Sequence, residues 1–218
     1  MRGKAPRHND VWRQFMRTLL SAHPMIKTAL VFALAVTLAT GQTAAPKEDL
    51  VPVAIETSLG RIVVALDRGR APVTTANFLR YVDAHRFDGE VFYRAMKVGA
   101  SGGLIQGGVR SDSRKLYPPI AHEPTSQTGL KNVAGAISMA NAGPGTARAD
   151  FFILASDMPS LDATAEQPGF AAFGRVVEGA DVVKAILAAA VSPTAGEGPM
   201  KGQMLEPTIK IIRAARLN

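Results

Sequence analysis

The sequence predicts an all-β fold, either a sandwich or a closed barrel, accompanied by two helices. Short runs of β-branched and aromatic residues recur at even spacing, and turn residues rich in glycine separate them. Only two stretches repeat apolar residues at helical spacing. The chain has 218 residues, enough for one ordinary domain with an appendage. It contains no internal repeat and no low-complexity tract.

The first predicted elements are a β-hairpin and a helix. Residues 51–56 and 61–66 are rich in β-branched side chains, and residues 57–60, Thr-Ser-Leu-Gly, indicate the turn between them. Ala71 and Pro72 then begin a helical pattern, because proline is favoured near the first helical position. The apolar stripe of this helix consists of Phe78, Leu79 and Val82.

Most of the remaining chain alternates between short strand-like runs and turns. Glycines on both sides of residues 104–106 indicate a short strand between a loop and a turn or bulge. Residues 141–145 form a loop by composition, and residues 181–190 have the periodicity of the second helix. The predicted strands cover residues 91–93, 104–106, 134–139, 151–154, 173–177 and 208–212.

The positive charge of the chain is concentrated near its beginning. Lys and Arg total 25 and Asp and Glu total 18, a formal net charge of +7. Residues 1–45 hold six basic residues and one acidic residue, which leaves 19 basic and 17 acidic residues in 46–218, a net charge of +2. A domain with so little excess charge gives no support for nucleic-acid binding.

The motifs of several enzyme classes are absent. The chain has no cysteine, which excludes a disulfide framework and a thiolate metal site. His122-Glu123 lacks the second histidine of a zinc-binding helix, and neither a nucleophile-elbow serine nor a Walker loop is present. We therefore expect no metal and no cofactor. An enzyme of this kind works by binding and electrostatics alone.

Residues 1–45 have the pattern of a secretory signal peptide. Lys27 precedes an uncharged apolar run over residues 28–40, and small residues follow it. The run is shorter than the roughly 18–20 residues that span a bilayer. We expect cleavage near Gln42 or Pro46, a polar linker over 46–50, a domain over 51–218 and a periplasmic location. The alternatives are an inner-membrane anchor formed by residues 28–40, or a buried helix.

Three segments of the domain carry a more specific signal. They are Phe92-Tyr93-Arg94; the run 104–108, Leu-Ile-Gln-Gly-Gly; and the run 138–144, Ser-Met-Ala-Asn-Ala-Gly-Pro, followed by Phe151-Phe152-Ile153 and Phe173-Gly174. In this order and spacing they closely resemble the signature of cyclophilin-type peptidyl-prolyl cis-trans isomerases. The resemblance covers residues 51–212. It implies a closed eight-stranded antiparallel barrel capped by two helices, with the binding groove outside the packed interior.

The resemblance also implies a role for individual residues. Arg94 matches the catalytic arginine, Gln106 matches the glutamine that orients it, and Phe152 matches the floor of the proline pocket. Ala140 and Asn141 match the segment whose backbone holds the residue before proline. The positions expected to bind substrate are Phe92, Leu104, Ala140, Asn141, Phe152, Leu161 and Phe170.

The expected function is isomerisation of X-Pro bonds in unfolded or extended chains during the folding of exported proteins. The alternative is a binding module, a chaperone or assembly factor that uses the same groove without catalysis. Arg94 and Gln106 favour the enzyme, because a pure binder does not need this pair. Gly103 and Ser160 favour the alternative, because they replace aromatic residues common in the family. Gly103 either opens one pocket wall or shifts the alignment. Nothing indicates oligomerisation, so we expect a monomer.

Overall fold

The computed structural model describes residues 47–217, which form a β-barrel with three helices. The helices are α1 (Pro72–Asp83), α2 (Thr125–Thr128) and α3 (Ala180–Ala188). The strands are β1 (Leu50–Thr57), β2 (Gly60–Asp67), β3 (Val91–Val98), β4 (Gly102–Gly108), β5 (Ala136–Met139), β6 (Phe151–Leu154), β7 (Ala172–Glu178), β8 (Val191–Ser192) and β9 (Met204–Arg216).

Eight of these strands form a closed ring. Their order is β1-β2-β7-β5-β6-β4-β3-β9, and β9 pairs back onto β1. Every pairing is antiparallel. The two-residue strand β8 pairs only with β9, so it lies outside the ring. The mainly β fold and the closed eight-stranded antiparallel barrel are therefore confirmed. The four-residue helix α2 is an addition to the two helices expected.

The barrel interior is filled by side chains. Phe78 of α1 has its ring centroid 4.9 Å from that of Phe87, 5.2 Å from that of Phe151 and 5.4 Å from that of Phe173. Helix α3 adds Val183, Ile186 and Leu187 to the same apolar cluster. Aromatic side chains bury large apolar areas, so this cluster supplies much of the stability of the fold. A filled interior leaves only the outside of the barrel for a ligand.

A buried glutamate stabilises the start of α1. The first amides of a helix have no partner within it, and here the side chain of Glu123 accepts from the amides of Val73 and Thr74 at 3.0 and 2.7 Å. It also accepts from the hydroxyl of Thr74 at 2.6 Å. A carboxylate at a helix N-terminus is further stabilised by the helix dipole.

The last strand is longer than its sequence predicts. The expected run 208–212 lies within the 13 residues of β9. Glu206 and Pro207 disfavour a strand, and proline is tolerated mainly at edges and bulges. Pro207 lies between Met204 and Ile209, where the register of β9 against β3 shifts. The irregular pairing at this point accommodates the proline.

The segment before β1 contacts the barrel surface. Asp49 pairs with Arg68 at 2.8 Å, and Glu48 pairs with Arg70 at 3.1 Å and with Arg175 at 2.7 Å. Leu50, assigned to the linker from sequence, already begins β1. The predicted signal peptide over residues 1–45 lies outside the described residues. Within residues 47–217, no helix has the length and apolar character needed to cross a membrane.

Candidate active site

A groove of about 470 Å³ runs along the outside of the barrel, over strands β3, β4 and β6 and the loops beside them. Eight of the nine residues predicted for the site line it. The eight are Arg94, Leu104, Gln106, Ala140, Asn141, Phe152, Leu161 and Phe170. Residues more than 70 positions apart in the chain therefore meet on one surface.

Phe92 is the exception, and its predicted role in substrate binding is wrong. Its side chain is fully buried in the barrel interior, where its ring centroid lies 5.6 Å from that of Phe151. The register of β3 against β4 shifts between Phe92 and Arg94, with Tyr93 as the extra residue. A bulge of this kind interrupts the alternation of a strand, so Phe92 faces inward although Arg94, two residues later, lines the groove.

The floor of the groove is a small apolar cluster separate from the interior. It is formed by Leu104, Ala136, Phe152 and Leu154, all nearly inaccessible to solvent. Phe170 packs its ring edge-on against Phe152, with centroids 5.5 Å apart. Successive residues of β6 alternate between the two clusters, so Phe151 points into the barrel and Phe152 into the groove. The position of Phe152 in the groove agrees with the sequence-based prediction.

Arg94 lies beside this floor and is held by two glutamines. Its Nη1 donates to Gln106 Oε1 at 2.8 Å, and its Nε and Nη2 donate to Gln203 Oε1 at 2.9 and 2.7 Å. Burial lowers the pKa of Arg94. An arginine starts from so high a pKa that the guanidinium remains a cation. The site therefore presents a fixed, half-buried positive charge.

Gln106 is oriented in turn by a hydrogen-bond chain. Its Nε2 donates to the hydroxyl of Tyr93 at 2.7 Å, and that hydroxyl donates to Asp150 Oδ2 at 3.1 Å. Burial raises the pKa of Tyr93 and that of Asp150, so the tyrosine keeps the proton that it donates. Because the amide nitrogen of Gln106 is used by Tyr93, its oxygen faces Arg94.

Met96 lines the groove, whereas Gly103 does not. A Cβ placed on Gly103 would lie 1.9 Å from the carbonyl oxygen of Met96. Its φ of +129° also favours glycine. Met96 lines the groove and packs against the floor. The structure thus places Met96, and not Gly103, on the groove surface.

The loop after β5 presents Ala140 and Asn141 at the edge of the groove. Asn141 Oδ1 accepts from the amide of Gly143 at 3.0 Å, and Thr146 Oγ1 accepts from the amide of Ala142 at 2.9 Å. The amide of Ala140 donates to the carbonyl of Asp150 at 2.9 Å. These local bonds fix the backbone of the loop, which is what a segment that holds an extended peptide requires.

Around Arg94 and Gln106, sequence reasoning assigned no role to Tyr93, Met96, Asp150 and Gln203. Tyr93 and Met96 lie one and two residues from Arg94 in the chain, and this proximity could have indicated that they belong to the site. Asp150 belongs to none of the segments singled out from the sequence, and it is half-buried and bonded to Tyr93. Gln203 is 109 residues from Arg94 and belongs to no motif.

The arrangement combines an apolar floor with a fixed cation. Among residues 47–217, no serine or cysteine lines the groove. In the same part of the chain, no three His, Cys, Asp or Glu side chains lie together as metal ligands would. The groove can take up a ring-shaped apolar group and donate a hydrogen bond to a polar atom beside it.

Known proteins resemble this chain along most of its length. The family model described as cyclophilin type peptidyl-prolyl cis-trans isomerase/CLD matches residues 52–215. The peptidyl-prolyl cis-trans isomerase cyp18 of Streptomyces antibioticus is 40% identical over 141 residues, which are 62% of this chain and 81% of that protein. A peptidyl-prolyl cis-trans isomerase of Acinetobacter baylyi is 33% identical over 164 residues, 73% of this chain and 82% of its own.

Solved structures show the same fold. A cyclophilin-type peptidyl-prolyl cis-trans isomerase of Cryptosporidium parvum matches with a TM-score of 0.63 and 21% identity, over 78% of this chain and 99% of that one. A second structure of that protein, in the presence of the dipeptide Ala-Pro, has a TM-score of 0.62 and 22% identity, over 77% and 99% of the two chains. From the matched family model and these bacterial relatives, the chain belongs to the family of cyclophilin-type peptidyl-prolyl cis-trans isomerases.

Proposed function

We propose that the protein isomerises X-Pro peptide bonds in unfolded or extended chains, with Arg94 as the catalytic residue. The observation that carries this proposal is the Arg94 guanidinium, which two glutamines fix beside the apolar floor of Phe152. Relatives named peptidyl-prolyl cis-trans isomerase support the reaction class.

The reaction needs only a site that favours the twisted bond. The peptide bond is a partial double bond with a rotation barrier of roughly 18–20 kcal/mol. Resonance is lost at the midpoint of rotation, and the imide nitrogen regains a lone pair. A cationic donor aimed at this nitrogen binds the twisted state better than either planar state. Such differential binding lowers the barrier, whereas equal binding of all states does not.

The floor and the cation cooperate in this scheme. Phe152, Leu104 and Leu161 would take the pyrrolidine ring out of water, and the family structure with Ala-Pro is consistent with a proline ligand. A drier site has a lower effective dielectric, so the interaction of Arg94 with the imide is stronger than in water. Arginine suits the role because its planar fork stays charged and can be fixed by acceptors on two sides.

The first experiment compares the wild-type protein with Arg94→Ala on an X-Pro tetrapeptide. A single preorganised donor is typically worth about 10²–10³ in rate, so we expect kcat/KM to fall by roughly this factor. Arg68→Ala is the matched control, since Arg68 is an exposed arginine that pairs with Asp49 and does not line the groove. Its activity should equal that of the wild type.

The other outcomes are equally informative. An unchanged rate in Arg94→Ala would show that Arg94 is not the catalytic residue. If the wild-type protein is folded and inactive but binds the peptide, the groove belongs to a non-catalytic binding module. Gly103, one of the two residues that favoured this alternative, does not line the groove.

The biological role that we propose is assistance to the folding of exported proteins. The support is the signal-like pattern of residues 1–45, with an apolar run over 28–40 followed by small residues. Trp12 is the only tryptophan of the chain. Protein recovered from the periplasm should lack tryptophan fluorescence and have an intact mass that begins near Gln42 or Pro46. A mature protein that retains Trp12 would contradict cleavage.

A further inference from the structure

We propose that Gln203 is a positioning residue, which holds the Arg94 guanidinium so that one N–H of Nη1 is directed at the substrate. The inference rests on the proposed function and deepens it, because it assigns a role to the loop 193–203 between β8 and β9. Gln203 lies outside the motifs that identify the family, and its distance from Arg94 along the chain hides the contact in the sequence.

The hydrogen bonds that the Arg94 guanidinium donates support this role for Gln203. A guanidinium has five N–H donors. Gln203 Oε1 accepts from Nε and from one N–H of Nη2, and Gln106 Oε1 accepts from one N–H of Nη1. Met96 Sδ lies 3.5 Å from Nη2 and is a weak acceptor for its second N–H. Among the described residues, a single N–H, on Nη1, is left for a ligand.

Gln203 is itself fixed at both ends of its amide. Its Nε2 donates to the carbonyl of Pro199 at 2.8 Å, so the amide oxygen is the end that faces Arg94. Its backbone carbonyl accepts from the amide of Ala95 at 2.9 Å, next to Arg94 in β3. The loop therefore joins the strand of the catalytic arginine by backbone and side chain together.

The same loop forms part of the groove surface. Met200 lines the groove, and the amide of Gln203 donates to the carbonyl of Met200 at 3.1 Å. The amide of Gly202 closes the base of the loop by donating to the carbonyl of Ala195 at 2.9 Å. One compact loop thus provides both a groove wall and a support for Arg94.

A neutral oxygen is well suited to this support. It accepts the Nε and Nη2 donors of Arg94 without neutralising the positive charge that the reaction needs. With Nε and Nη2 held on one side and Nη1 held by Gln106, the guanidinium plane has little freedom to rotate. Restricting a group in its productive orientation lowers the barrier of the chemical step more than it changes the binding of substrate.

The test is a steady-state comparison of Gln203→Ala with the wild-type protein, with kcat and KM measured separately on an X-Pro tetrapeptide. We expect kcat to fall about tenfold with KM nearly unchanged, since hydrogen bonds to charged groups are among the stronger ones. Gln167→Ala is the matched control. Gln167 also donates from a loop to a backbone carbonyl, that of Ser160 at 3.0 Å, but does not contact Arg94. Its kcat should be unchanged.

A double-mutant cycle separates positioning from a general structural effect. If Gln203 acts through Arg94, Gln203→Ala should cost less than threefold when Arg94→Ala is already present. An equal loss in both backgrounds would overturn the proposal, as would full activity of Gln203→Ala or a rise in KM alone. Inactivity of the wild-type protein would instead defeat the proposed function, so the two failures are distinguishable.

Gln203→Glu serves if Gln203→Ala proves unstable in a thermal melt. It keeps an acceptor for Arg94 but loses the donor to Pro199, so it separates the two bonds of the amide. Because its carboxylate also brings a negative charge beside the guanidinium, we expect kcat of Gln203→Glu to lie below that of the wild type, and this loss to disappear when Arg94→Ala is present. The same loss of kcat with and without Arg94 would overturn the proposal.

Discussion

The strands under the groove are buried on both faces, but one face packs in the barrel interior and the other packs in the small cluster below the groove. Phe151 and Phe152 are neighbours on β6, and their exposed fractions are 1% and 3%. Phe151 packs in the barrel interior against Phe78 and Phe87, whereas Phe152 packs in the small outer cluster. The comparison teaches that burial alone does not distinguish a core residue from one that lines the groove. What distinguishes the two residues is the face of the strand on which each side chain lies.

The largest expected effect is a difference between Phe151→Ala and Phe152→Ala. Phe151→Ala removes a ring from the close-packed interior, so it should lower the free energy of unfolding by about 3–5 kcal/mol. Phe152→Ala should cost less stability, because its cluster is smaller and lies beside the groove. It should raise KM about tenfold, since the floor for the proline ring is lost. Urea unfolding and steady-state kinetics measure the two effects.

Equal losses of stability, together with an unchanged KM in Phe152→Ala, would break this comparison. Val133→Ala is a suitable control for both assays. Val133 is an exposed hydrophobic residue that does not line the groove. Removal of its side chain should change neither the unfolding free energy nor the kinetics appreciably.

Glu90 is a buried polar residue outside the groove, so its replacement should affect stability and not catalysis. Glu90 is 1% exposed and accepts from Lys115 Nζ at 2.8 Å and from the amides of Arg110 and Ser111 at 2.9 and 3.1 Å. Glu90→Gln weakens these bonds, so the unfolding free energy should fall by about 1–3 kcal/mol at pH 7. Glu90 does not line the groove, so kcat/KM should stay unchanged.

The effect of Glu90→Gln should depend on pH. Burial opposes ionisation, but the hydrogen bonds from Lys115, Ser111 and Arg110 outweigh it and hold the pKa of Glu90 below its ordinary value. A lowered folded-state pKa stabilises the fold above the unfolded-state value of about 4.3, and this contribution is lost as the pH falls through the folded-state pKa. The difference in urea midpoint between Glu90→Gln and the wild type should therefore be smaller at pH 3.5 than at pH 7. A constant difference would contradict the assignment.

The smallest expected effect concerns the chain that orients Gln106. Tyr93→Phe removes the acceptor of Gln106 Nε2 and the donor of Asp150, so the amide of Gln106 is no longer fixed. We expect kcat to fall about fivefold, roughly 1 kcal/mol, which is typical of one neutral hydrogen bond. Tyr117→Phe is the control, since Tyr117 does not line the groove. Unchanged kinetics in Tyr93→Phe would show that Gln106 is oriented without Tyr93.

The sequence was sufficient for the parts of the fold and site that local patterns encode. Short β-branched and aromatic runs between turn residues predicted the barrel strands, and the signature segments contain Arg94, Gln106 and Phe152, which line one groove. The inward turn of Phe92 was not predictable, because the bulge at Tyr93 depends on the register against β4. The contact between Gln203 and Arg94 was hidden for a related reason, since only the pairing of β9 with β3 brings the two residues together.

The barrel can close only after β9 has paired with β1, so completion of the fold requires almost the whole domain. Residues 53–57 of β1 pair with residues 211–216 of β9, about 160 positions later. The hairpin of β1 and β2 can form early, but one edge of β1 stays open until β9 is available to pair with it. Because Gln203 directly precedes β9, a chain truncated before residue 203 has neither a closed ring nor the second support for Arg94. Barrel closure and the completed site thus depend on the same segment, residues 203–216.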